Sequence, residues 1–420
     1  MAKTTEFRNG LRVLTIPQRN TRTVTVLVLV GTGSKYEEKG INGISHFLEH
    51  MFFKGTAKRP TPFGIASPIE NVGGTFNAFT SQDVTGYYIK VGAEHLELAL
   101  DMVADIFLNS SLPSKEIKKE KGVVAEEINM RKDTPMIHAA DLLEQFLYGD
   151  QPAGWDVAGT KETVSKLTRT SLLSYVKSQY VASNTVVCVA GNMKEEAVKN
   201  KVRKLFSAVR TGDFRKKAPV REFQKEPAVL LEYRKTDQTH LAFGARGYRL
   251  SSQDRFVQDI LAAILGGGMS SRLFSEVREK LGLAYYISTS SDSNPDTGVL
   301  ATFAGVRNGN AEKAVQVIAR EYRKLAEKKV SQKELHNAKD RIKGRMALSL
   351  ESSDAKAEFY GIQEILEGRF FTPGELYDKI ESVRVSDIAR VAQDIFRPKN
   401  LSLVVLGPFR EKQRFRKLLS

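Results

Sequence analysis

Along the first third of the chain, apolar positions switch between the two-residue spacing of a half-buried strand and the three-to-four-residue spacing of a helix. Leu11 to Pro17 and Thr23 to Gly31 read as consecutive strands joined by the polar turn Gln18-Arg19-Asn20. Thr85 to Gly92 and the apolar run Thr185 to Ala190 add two more strands. Helical spacing appears in Gly43 to Phe53, Leu96 to Asn109, Ser114 to Lys132 and Met136 to Tyr148. Strands early and late, with helices between, predict a layer of helices on a largely antiparallel sheet, an α+β fold.

The pattern occurs twice. Val164-Ser165-Lys166-Leu167 through Tyr180, Asn184 and Gly191 matches Ile380-Glu381-Ser382-Val383 through Phe396, Asn400 and Gly407 at an offset of 216 residues. Leu112-Pro113-Ser114-Lys115-Glu116-Ile117 likewise matches Val330-Ser331-Gln332-Lys333-Glu334-Leu335, each opening a helix after a capping-type residue. The polar, Pro-punctuated stretch from Thr211 to Pro227 separates the copies. Two homologous domains are expected, residues 1–212 and 227–420, joined by a linker at 213–226.

Composition narrows the class. Hydrophobic residues at 41% and charged residues at 27% are those of a folded globular chain. The balance of 64 basic against 49 acidic residues, +15 net, raises the question of a polyanion partner. Acids interrupt the basic runs at Glu116, Glu120 and Glu411, and no aromatics are interleaved as stacking platforms, so a solvated basic surface is expected and a nucleic-acid partner is not. No stretch approaches the ~20 consecutive apolar residues of a membrane helix. The N-terminal residues enter a strand-like pattern almost at once, without the apolar core of a signal peptide, which points to the cytoplasm. The one cysteine, Cys188, lies in an apolar run and reads as a buried thiol in a reducing compartment.

Chemistry is concentrated in His46-Phe47-Leu48-Glu49-His50. On a helix the two imidazoles lie one turn apart on one face and can share an ion, and Glu49 beside them can accept a proton from a metal-activated water. With 6 histidines in 420 residues, chance supplies roughly 0.01 occurrences of His-x-x-acid-His. The order is the inverted zinc-peptidase signature. Catalytic zinc takes three protein ligands and keeps a position for water, so one more donor is needed. The helix Ser114 to Lys132 offers Glu120, Glu126 and Glu127, the first and last two turns apart on one face, so that one can ligate while another orients a ligand histidine. Spacing leaves the choice open.

These residues, with the trailing Met51-Phe52-Phe53-Lys54-Gly55-Thr56 and with Gly73-Gly74-Thr75-Phe76-Asn77-Ala78-Phe79-Thr80, make the chain resemble the M16 metallopeptidases, the pitrilysin and mitochondrial processing peptidase group, over nearly its whole length. The resemblance implies a two-domain zinc endopeptidase of the short-chain kind. Its third ligand would be Glu127, with Glu126 as the alternative one residue away, and Glu120 would be the supporting carboxylate. It further implies a homodimer enclosing a chamber in which peptides or unfolded segments are cut.

The second copy carries no such motif. Asp259, Ala262 and Ala263 stand opposite His46, Glu49 and His50, and Arg345 opposite Glu127, so one zinc ion per chain is expected. Gly266-Gly267-Gly268-Met269-Ser270-Ser271-Arg272 lacks the Gly-Lys-Ser/Thr ending of a phosphate loop and reads as a turn. Arg278 and Tyr285 match the Arg-x6-Tyr pair of M16 enzymes, which implies substrate anchoring and transition-state stabilisation from the second domain. Asn77, Ala78 and Phe79 read as an edge strand whose unpaired main chain can take an extended peptide, the role the resemblance also implies. Pro68 should kink or shorten its helix where relatives run on uninterrupted. The rival to the enzyme is a non-catalytic or partner-dependent subunit of the same fold.

Overall fold

The computed structural model describes residues 2–419. Its first sheet contains β1 (Lys3–Glu6), β2 (Arg12–Pro17), β3 (Thr23–Val30), β4 (Thr75–Thr80), β5 (Thr85–Gly92) and β6 (Thr185–Gly191), in the order β1-β2-β6-β3-β5-β4. Only the β2–β6 pair is parallel. The consecutive strands β2 and β3 are therefore separated in the sheet by β6. The reason lies in composition: β6 is buried at all seven positions, as befits a strand with neighbours on both sides and cover on both faces.

Alternation along β3 assigns the two faces. Val24, Val26, Val28 and Val30 point into one core, and Leu27 and Leu29 into another. The larger core is closed by helices that follow in sequence, α1 (Ile44–Met51), α2 (Pro62–Glu70), α3 (Leu96–Asn109), α4 (Ser114–Asp133), α5 (Pro135–Tyr148), α6 (Lys161–Lys166), α7 (Arg169–Gln179) and α8 (Glu195–Leu205), with the exception of α5. Helix α2 is nine residues long and carries Pro68 in its last turn.

The second sheet contains β7 (Ala228–Tyr233), β8 (Gln238–Arg246), β9 (Ala284–Ser293), β10 (Gly298–Arg307) and β11 (Ser402–Gly407), in the order β7-β11-β8-β10-β9. Its helices are α9 (Asp254–Gly266), α10 (Ala311–Glu327), α11 (Gln332–Ser349), α12 (Ser353–Glu367), α13 (Pro373–Ser382), α14 (Val385–Ile395) and α15 (Lys412–Arg416), with the exception of α12. Strand for strand this is the first sheet without β1. The parallel pairs repeat in register: Arg12 faces Val186, and Ala228 faces Ser402, each partner displaced by the same 216 residues as the sequence repeat.

The chain forms two compact units, neither of them continuous in sequence. One holds residues up to Ile128, Trp155–Ala218 and Ala347–Phe371; the other holds Asn129–Gly154, Pro219–Met346 and residues from Thr372 onward. Helix α12 covers the second face of the first sheet, where Ala357 joins Leu14, Leu29 and Cys188. It lies so close that a Cβ on Gly361 would come within 2.6 Å of Cys188 Sγ. Helix α5 does the same for the second sheet, through Ala139, Leu143 and Leu147 against Ala242, Ala301 and Val404. Among the described residues no helix is long and apolar enough to cross a membrane.

Candidate metal centre

Helix α1 starts at Gly43, whose φ of +93° and close approach to the Ala158 carbonyl, 2.5 Å from where a Cβ would sit, both demand glycine. The first N–H groups of a helix have no intrahelical acceptor. Here the buried carboxylate of Glu37 serves, accepting from Gly43 N at 2.7 Å, Ser45 N at 2.9 Å and Asn42 Nδ2 at 2.9 Å. Burial holds the Glu37 carboxyl above its ordinary value, although these donors work in the other direction. Ile44, Phe47, Leu48 and Met51 anchor the helix in the larger core, and their spacing turns His46, Glu49 and His50 to the opposite side.

Helix α4 supplies the facing carboxylates. Its buried positions are Ile117, Glu120, Val124 and Ile128, so Glu120 occupies a place on the stripe otherwise taken by apolar side chains. Glu127 lies two turns further along and is less enclosed.

His46 Nε2, His50 Nε2 and Glu127 Oε2 form a triangle with sides of 3.4, 3.4 and 3.4 Å. A tetrahedral zinc with ligands at about 2.0–2.1 Å has its donor atoms about 3.3–3.4 Å apart, so the three atoms stand as one face of such a tetrahedron. Among the described residues this is the group of His, Cys, Asp and Glu that could hold an ion, and it takes Glu127 in preference to Glu126. Glu120 Oε1 lies 2.9 Å from His50 Nδ1, which must carry the ring proton if Nε2 is to offer a lone pair. Glu120 Oε2 accepts from Lys54 Nζ at 2.8 Å. The Nδ1 atom of His46 is buried and has no hydrogen-bond partner among the described residues.

The electrostatics ask for a cation. Burial opposes the charged form of His50, yet Glu120 and Glu127 outweigh it and push the ring up to about 9. His46 and His50 hold Glu127 well below the usual carboxylate range. Two carboxylates around two imidazoles thus stabilise positive charge, whether carried by a proton or by a metal ion. The donor set of two imidazoles and one carboxylate suits zinc. The carboxylate of Glu49, on the same helix, has no hydrogen bond or ion pair among the described residues and is left available as a base.

Strand β4 lies at the edge of its sheet and pairs only with β5. Asn77 is exposed, and its Oδ1 accepts from the N–H of Ala78 at 2.9 Å. In the second unit Arg278 lies on the short helical segment Phe274–Lys280, and Tyr285 lies on β9, an edge strand of the second sheet. The Arg278 guanidinium is 6.0 Å from the Tyr285 ring and 4.8 Å from that of Phe274, and Tyr285 is 76% exposed. In the second unit the residues expected opposite His50 and Glu127, Ala263 and Arg345, lie in a different set of contacts. Arg341 donates to the Ala263 carbonyl at 3.1 Å and Arg345 to the Gly267 carbonyl at 2.5 Å, so guanidinium groups cap the end of α9.

Sequence comparison supplies the family. A family profile described as Insulinase (Peptidase family M16) matches residues 12–161, and one described as Peptidase M16 inactive domain matches residues 166–342. The chain is 36% identical to an uncharacterized zinc protease of Bacillus subtilis (strain 168), over 97% of this chain and 98% of that protein. The chain belongs to peptidase family M16. Another relative, an uncharacterized zinc protease of Mycobacterium leprae, is 36% identical over 97% of this chain and 92% of its own length. A protease from Helicobacter pylori shares the M16 architecture with a TM-score of 0.90 at 26% identity, covering 97% of this chain and 99% of the other. A Pseudomonas fluorescens structure described as a peptidase M16 inactive domain has the same fold, with a TM-score of 0.89 at 19% identity over 98% and 99% of the two chains.

The contacts of two residues at the centre of this M16 chain were not read from sequence, although Lys54 stands in the motif that carries the resemblance. Lys54 stands four residues past His50, at the spacing that already joined His46 to His50, and that periodicity was the available signal. Glu37 had none, because a carboxylate in a loop gives no sign of which helix it will cap.

Proposed function

We propose that this chain is a zinc-dependent endopeptidase in which His46, His50 and Glu127 hold the metal. The observation that carries the reading is the 3.4 Å triangle of their donor atoms, with Glu49 on the adjoining turn. The zinc proteases among its relatives support the same choice of ion. Zinc, when bound, would polarise the scissile carbonyl and lower the pKa of water toward about 7.

The rest of the chemistry belongs to the chain. Glu49 takes the proton of the attacking water and delivers it to the leaving amine. Glu120 orients His50. The free edge of β4 receives the substrate main chain as an added strand, with Asn77, Ala78 and Phe79 at the contact, so binding depends on backbone more than on side chains. Tyr285 donates to the developing oxyanion and Arg278 holds a peptide carbonyl. Peptides or unfolded segments are the substrates, and the chain acts as a homodimer enclosing a chamber, with one zinc per subunit.

Cleavage of a mixed peptide pool, followed by mass spectrometry, tests the reading. Cleavage should stop with chelator and return with zinc. A zinc-loaded dimer that leaves every peptide intact would favour instead a non-catalytic subunit of the same fold.

A further inference from the structure

Lys54 leaves α1 just after its last turn, with its N–H on the Met51 carbonyl at 3.1 Å. The next residue, Gly55, has a φ of +143°, and a Cβ there would come within 2.8 Å of the Pro60 carbonyl, so the backbone turn that presents Lys54 has little freedom. Its ammonium makes an ion pair with Glu120, at 2.8 Å, and its side chain is 25% exposed.

Glu120 is only 3% exposed, and its two oxygens are divided between two donors: Oε1 faces His50 Nδ1 and Oε2 faces Lys54 Nζ. Without Lys54, Oε2 would be a buried acceptor with no donor, and a carboxylate so placed turns to find another partner. Any such rotation moves Oε1 away from His50. The ring would then lose the acceptor that keeps its proton on Nδ1 and its Nε2 aimed at His46 and Glu127.

Resting on the reading of His46, His50 and Glu127 as the zinc site, we infer that Lys54 is a positioning residue for the metal, acting through Glu120 on the orientation and tautomer of His50. The lysine, the carboxylate and the imidazole form one chain of contacts from the turn after α1 to the ion. A lysine that only balances surface charge would leave metal binding unchanged.

The full-length chain, loaded with zinc, is exposed to excess chromogenic chelator and the rate of zinc release is followed, with thermal unfolding of the metal-free forms alongside. Lys54→Met should release zinc about 10–100-fold faster than wild type, the range for loss of a partner behind a ligand. Lys54→Arg should restore slow release. Combining Lys54→Met with Glu120→Gln should be no faster than Glu120→Gln alone, because both act at one point. Release from Lys54→Met at the wild-type rate, or effects of the two changes that multiply, would overturn the inference. Should Lys54→Met fail to fold, Lys54→Gln carries the comparison: release faster than from Lys54→Arg supports the role, and equal release contradicts it. A wild-type chain that takes up no zinc would overturn the reading of the site, and this inference with it.

Discussion

The carboxylate of Glu37 and the backbone N–H of Gly43 meet at 2.7 Å, and that contact fixes where the helix bearing His46, Glu49 and His50 begins. Glu37→Ala would leave the N–H groups of Gly43 and Ser45 buried without an acceptor, and the amide of Asn42 with the Asp156 carbonyl, at 3.0 Å, as its acceptor. A loss of about 2–4 kcal/mol is expected. Chemical denaturation of the metal-free chain measures it. A change within about 0.5 kcal/mol would mean that the helix start is set by Gly43 alone.

The edge of β4 makes a different prediction, because on the proposed reading a peptide takes the outward main chain of this strand, where it would displace Asn77 Oδ1 from the Ala78 N–H. Ala78→Pro removes that donor at an edge, where proline is tolerated. Activity toward peptides of unrelated sequence should fall together, by about 10-fold in kcat/KM, with zinc retained. A loss confined to a few sequences would place the main-chain contact elsewhere.

In the second unit, burial pushes the carboxyl of Asp259 up to about 6 from an ordinary 3.8, despite a hydrogen bond from Ser291 Oγ at 2.7 Å. The folded chain therefore binds this proton more tightly than the unfolded chain, and the contribution to stability falls as pH rises from about 4 to about 6. Asp259→Asn keeps an acceptor for Ser291 and removes the charge. Its Tm should exceed that of wild type at pH 8 and show no gain at pH 4. An equal difference at both pH values would exclude the charged carboxylate as the cause.

What could be read from sequence was what depends on local spacing. The i, i+4 relation of His46 and His50 survives in any helix, and the strands and helices bounded by turn residues fall close to where periodicity places them. Glu127 lies on another helix far along the chain, and adjacent residues differ by a third of a turn, so only the folded packing separates it from Glu126. Glu120 was closer to legible, since it falls in phase with Ile117, Val124 and Ile128. The insertion of β6 between β2 and β3, and the assignment of α5 and α12 to their sheets, depend on long-range pairing. An apolar helix face shows that the helix is covered, but not by which sheet.

Glu49→Gln offers the most direct test, through zinc content by elemental analysis set beside peptide cleavage by the same preparation. The variant is expected to hold one zinc per chain, like wild type, while cleavage falls at least about 100-fold. Cleavage at the wild-type rate by zinc-loaded Glu49→Gln, or a wild-type chain that cleaves without any metal, would contradict the assignment of His46, His50, Glu127 and Glu49 to the catalytic site.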